Sequence, residues 1–171
     1  MKILRLSDGY GFNAIANLDQ YESFVAKNWD FDLLKKHFLE QMSLNRILIW
    51  ATTPSGGTWQ IKVGDEKSGR TPFREFRGVI EVSNHRLYLC NYETLTIAAQ
   101  FETVQLPEPY LSSLFIEMEN GKYGVTIRQM NDLGNCVAED TRIDFELVFQ
   151  KIKKFPEIYH NQFSNIIWGE D

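Results

Sequence analysis

The stretch LFIEMENGKYGVTIRQM, Leu114–Met130, decides the fold class. On both sides of Asn120-Gly121 apolar residues alternate with polar ones, the period of a half-buried strand. Asn-Gly is the strongest short hairpin signal, because a type I′ turn needs positive φ at both central positions. Folding the chain there sets Met118 opposite Tyr123, Ile116 opposite Val125 and Leu114 opposite Ile127, all on one face. Glu117, Glu119, Lys122, Thr126 and Arg128 take the other. One face is expected to be core and one wet.

The same grammar recurs on either side. In GVIEVSNHRLYL the turn Asn84-His85 pairs Val82 with Leu87 and Ile80 with Leu89. In RILIWATTPSGGTWQIKV a loop from Thr53 to Gly57 pairs Thr52 with Thr58. That register puts Ile47, Ile49, Ala51, Trp59, Ile61 and Val63 on one face. Leu48, Trp50, Gln60 and Lys62 share the other, which is mixed and needs a cover. TLTIAAQF alternates as a further strand. IDFELVFQ sets Ile143, Phe145, Leu147 and Phe149 against Asp144, Glu146 and Gln150. Short strands at this spacing predict a mainly β fold, a two-layer antiparallel β-sandwich or flattened barrel.

One flanking α-helix is expected over FDLLKKHFLEQMSLN. Asp30 is placed to cap it, and Phe31, Leu34, Phe38 and Met42 fall on one face at helical spacing. This helix directly precedes Ile47 and is the nearest cover for Trp50. The tail from Pro156 admits two readings, a last helix or an extended segment.

Bulk properties narrow the function classes. The 171 residues suit one domain spanning 1–171, with 43% hydrophobic and 24% charged residues, ordinary for a globular protein. A net charge of −5 argues against a sequence-independent grip on nucleic acid. No apolar run approaches a membrane span, and Cys90 and Cys136 are too few and too far apart for a zinc cluster or disulfide framework. The expectation is a cytoplasmic protein with no membrane partner and two buried thiols.

Chemistry-bearing motifs are weak. His37 reads as a surface residue of the helix, His85 as a turn residue, and His160 lies in the tail. None makes a local metal pair. Gly56-Gly57 lacks the lysine and helix of a phosphate loop, and Gly9 with Gly11 lacks a third glycine at dinucleotide spacing, so both read as turns. No catalytic residue, metal ligand or cofactor is assigned. Two features remain as candidate partner-binding residues. The first is the acidic run Glu139, Asp140, Asp144 and Glu146, which suits a basic protein or is simply a solvated strand face. The second is Trp50, either covered by the helix or open to a partner or ligand.

The order of ILIW, TWQIKV, GVIEVSNHRLYL and LPEPYLSSLFIEMENGKYGVTIRQM resembles small bacterial β-sandwich nuclease inhibitors of the competence-protein-J type. Leu106-Pro107 and Gly121-Lys122-Tyr123 carry the resemblance, over roughly the middle half of the chain. It implies a non-enzymatic immunity protein or inhibitor that neutralises a cognate toxin or nuclease. The alternative is a small-molecule or carbohydrate binder using the Trp50 side of the sheet. A toxin gene beside its own would favour the first, a sugar operon the second.

Overall fold

The computed structural model describes residues 1–134, 142–156 and 167–168. Among these, nine strands form two sheets. They are β1 (Lys2–Asp8), β2 (Phe12–Ala16), β3 (Ile47–Ala51), β4 (Gly57–Gly64), β5 (Arg74–Val82), β6 (Arg86–Asn91), β7 (Phe115–Glu117), β8 (Gly121–Gln129) and β9 (Phe145–Ile152). The first sheet has the order β1-β4-β9-β8-β5, the second β3-β2-β6-β7. Two α-helices, α1 (Phe31–Ser43) and α2 (Tyr92–Gln100), flank them. The result is a sandwich, not a closed barrel, and one pair, β4 with β9, runs parallel.

The three expected hairpins are not hairpins. β7 leaves the second sheet at Glu117 and β8 enters the first at Gly121, so the Asn120-Gly121 turn crosses between layers. Ile116 pairs with Leu87, and Val125 with Gly78 on one side and Phe149 on the other. Gly121 has φ 147°, and the Asn120 side chain accepts the His85 N–H at 2.7 Å, which ties this crossover to the next one. β5 and β6 likewise lie in different sheets, with His85 at φ 57° in the bend, and so do β3 and β4. The alternation still names the inner face, since Ile116, Tyr123, Val125 and Ile127 are all buried. What changes is the partner.

The connections that stay within a sheet are long. β2 and β3 are joined through α1, and β6 and β7 through α2. α1 begins as expected, with the Asp30 carboxylate accepting the Leu33 N–H at 2.8 Å. Leu34, Phe38 and Met42 are buried, but Phe31 stays 47% exposed. TLTIAAQF, expected as a strand, is α2. Asn91 caps it through its side chain, and the Thr94 hydroxyl closes the box on the Asn91 N–H. Three threonine or β-branched positions imitate strand alternation, yet the cap and the packing of Leu95, Ala98 and Ala99 override that preference.

Trp50 is fully buried between the sheets. Its ring centroid lies 5.9 Å from that of Phe145 on β9, and the neighbouring inward residue, Leu48, packs where a Gly78 side chain would stand. The opposite face of the second sheet meets α1, as the Phe12–Phe38 ring contact at 5.4 Å shows. The cover over Trp50 is therefore the other sheet rather than the helix. Ile167 adds to the edge here, its carbonyl accepting Ala51 N–H at 3.0 Å, and Trp168 stacks on Phe145.

Candidate functional site

Of the expected acidic residues, the described pair Asp144 and Glu146 lies buried rather than at the surface. Glu139 and Asp140 lie outside the described residues. Asp144 is 3% exposed, its carboxylate accepting Gln60 N–H and Arg142 Nε, each at 2.9 Å. Glu146 is equally buried and faces Arg128 across the β8–β9 ladder, in a direct ion pair. Lys62 reaches the same carboxylate at 3.1 Å, and Glu75 with Lys67 extends the row. The loop after β4 closes over this row. Ser68 N–H donates to Glu146, while Arg128 donates to the Ser68 and Arg70 carbonyls. Burial alone would raise the Glu146 pKa, but the Ser68 and Lys62 hydrogen bonds outweigh it and hold it below the usual glutamate range. Asp144 and Glu146 were expected to be wet because charges alternate with apolar residues. β9 is instead a central strand whose first half is covered on both faces, and the charges of Asp144 and Glu146 are neutralised internally.

A different constellation does reach solvent, at the end where β1 turns into β2. Tyr10 and Tyr92 meet edge to face at 5.1 Å, and Tyr92 meets Phe12 at 5.1 Å. Phe12 in turn rests on Phe38, so the exposed rings stand on a fixed base. Tyr110, from the 3₁₀ turn Pro109–Leu111, interacts with Glu108, Glu93 and Asn91. Tyr10 is 52% and Tyr110 60% exposed. Burial raises the Tyr92 and Tyr110 pKa values, and the nearby carboxylates add to the effect, so these phenols stay protonated donors at neutral pH. Glu93 anchors the group, one oxygen accepting Gly9 N–H at 2.5 Å and the other buried without a partner. Beneath lies Asp8, whose carboxylate accepts Trp59 Nε1 at 2.8 Å, Thr52 Oγ1 at 2.9 Å and Gly57 N–H at 3.1 Å. Desolvation nevertheless leaves its pKa raised.

Sequence reading missed this face because its tyrosines come from three elements far apart in the chain. The only local signal is the Asn91-x-x-Thr94 cap, which would have placed Tyr92 and Glu93 in the first turn of a helix.

The architecture defines a two-sheet sandwich whose short connections cross between layers. No family model matches the chain, and no curated protein matches it. Two solved structures are similar to it in fold. One is described as crocagin biosynthetic gene J, with a TM-score of 0.60 and 10% identity over 88% of this chain and 96% of that one. The other is ComJ from Bacillus subtilis, described as an inhibitor of the DNA-degrading activity of NucA. Its TM-score is 0.49, with 10% identity over 89% of this chain and 96% of that one. At these identities the likeness is one of fold.

Proposed function

We infer that this chain is a non-enzymatic protein-binding module of the inhibitor or immunity type, and that Tyr10, Tyr92 and Tyr110 form its contact face. The observation that carries the reading is exposed Tyr10, held through Tyr92 on the Phe12–Phe38 base, with exposed Tyr110 close by at Glu93 and Glu108. Tyrosine offers a large amphipathic contact at low entropic cost, and interfaces and their hot spots are enriched in it. Carboxylates at the rim and a net charge of −5 favour a basic partner, such as a toxin or nuclease, by steering its approach. The sequence resemblance to nuclease inhibitors points the same way. The test is co-purification with the products of genes flanking its own, followed by calorimetry of the complex. The paired change Tyr10→Ala and Tyr110→Ala should weaken binding about 30-fold or more, the range of a hot spot. A complex whose affinity is untouched by that pair removes this face from the reading.

A further inference from the structure

A concavity of about 200 Å³ opens where β2 runs out and the β5–β6 crossover passes beside it. Its polar lining is Asn17, Asp19, Asn84 and Arg86, and its walls are Tyr88, Leu106 and Pro107. Asn17 is 1% exposed and fixed on all sides but one. Its N–H donates to the Arg46 carbonyl, its own carbonyl accepts the Gln20 and Tyr21 N–H groups, and its Oδ1 accepts the Ser83 hydroxyl at 3.1 Å. Its Nδ2 is buried with no partner. Buried amide donors are nearly always hydrogen-bonded, and this unpaired one belongs to a residue of the pocket wall. The same Ser83 hydroxyl lies 3.0 Å from Asp19, so its one proton is shared between Asp19 and Asn17, and Arg86 lies over the Phe115 ring at 4.6 Å. Neither Asp19 nor Arg86 has an ionic partner among the described residues.

We propose that this pocket binds a neutral, hydroxyl-rich molecule of monosaccharide size. The lining sets one negative and one positive group around a single opening. A simple carboxylate would meet Asp19 and a simple ammonium would meet Arg86, while a zwitterion, which answers both charges, is tested by glycine. A hydroxyl answers both, donating to Asp19 while accepting from Arg86. Tyr88, Leu106 and Pro107 supply an apolar wall for the C–H face of a ring. The volume lies under the roughly 300–1,000 Å³ of pockets for drug-sized ligands, which limits the occupant to about one ring. The proposal rests on this pocket alone and stands apart from the partner-binding face.

The experiment is an amide NMR titration of the whole chain with D-glucose, D-mannose, D-galactose and N-acetylglucosamine, with acetate and glycine as charged controls. At least one sugar should shift the amides of Asn17, Arg86 and Tyr88 saturably. Asp19→Ala and Arg86→Ala, both on exposed side chains, should each weaken that sugar tenfold or more while leaving the rest of the spectrum in place. No saturable shift from any sugar overturns the proposal. So does a response at these amides to acetate or glycine alone, and so does sugar binding that both variants retain.

Discussion

Arg128 on β8 and Glu146 on β9 are register partners whose side chains, 5% and 4% exposed, form a direct ion pair inside the wall of the first sheet. Removing one member leaves the other charged and buried, and such losses run to about 3–5 kcal/mol. Glu146→Ala should therefore lower the denaturant midpoint by an amount in that range. Arg128→Met with Glu146→Leu should recover much of it, because an apolar pair avoids the desolvation cost. A midpoint unchanged in Glu146→Ala would show that the pair contributes nothing.

The same row gives a pH dependence with a definite sign. Glu75 and Glu146 both have pKa values below the ordinary 4.5, Glu75 chiefly through its Lys67 hydrogen bond. A carboxylate lowered on folding contributes stability that is complete above its unfolded pKa and is lost as pH falls through the folded one. Unfolding free energy should hold from neutral pH to about 5 and drop below about 4.5. Asp8, raised by burial, acts in the opposite sense, so the fall is net of its gain. In Glu146→Gln the acid-induced drop should shrink. An equal drop in both proteins would place the titration elsewhere.

The sequence shows why faces are easier to read than partners. Alternation from Leu114 to Met130 reports which side chains point inward, and Ile116, Tyr123, Val125 and Ile127 do. A turn residue such as Gly121 or His85 reports only that the chain bends. Whether the bend returns to the same sheet or crosses to the other depends on strands many tens of residues away, as with β1 beside β4 and β4 beside β9. Asp144 and Glu146 were misplaced for a related reason. Their period is that of a wet strand face, but the loop holding Ser68 and Arg70 folds back over Glu146 and Arg128, while Gln60 N–H and Arg142 enclose Asp144.

Trp50 is placed to separate sheet packing from helix packing. Packed against Phe145 and fully buried, it should cost about 3–5 kcal/mol on truncation to alanine. Phe38→Ala, on the other face of the same sheet, should cost a similar amount through the helix contact. Because the two residues lie on opposite faces of one sheet, the double variant should be close to additive. A strong coupling between them in a double-mutant cycle would mean that the helix does reach the tryptophan.

Asn91 holds α2 by two separate ties, the cap to Thr94 N–H at 3.0 Å and a bond from Nδ2 to the Ser7 carbonyl at 2.8 Å. Loss of a cap alone costs about 0.5–2 kcal/mol. Asn91→Ala should fall at the upper end of that range or just beyond it, since Ser7 also loses a donor. Asn91→Asp keeps the cap acceptor and should cost less. Equal midpoints for the two variants would show that the cap is not what matters.

Electrostatic steering can be separated from contact at the tyrosine face. Glu108 lies beside Tyr110 at the rim and belongs to no ion pair among the described residues. Rim charges act mainly on association rate, and surface substitutions usually change stability by less than about 0.5 kcal/mol. Glu108→Lys should thus slow association with a basic partner and flatten its salt dependence while the melting profile stays put. Glu146→Lys is the contrasting case, because there a second positive charge would be buried against Arg128 and the fold itself should fail. Stopped-flow association at two salt concentrations, beside a melt of each variant, distinguishes them. An unaltered association rate in Glu108→Lys would show that the partner approaches by another face.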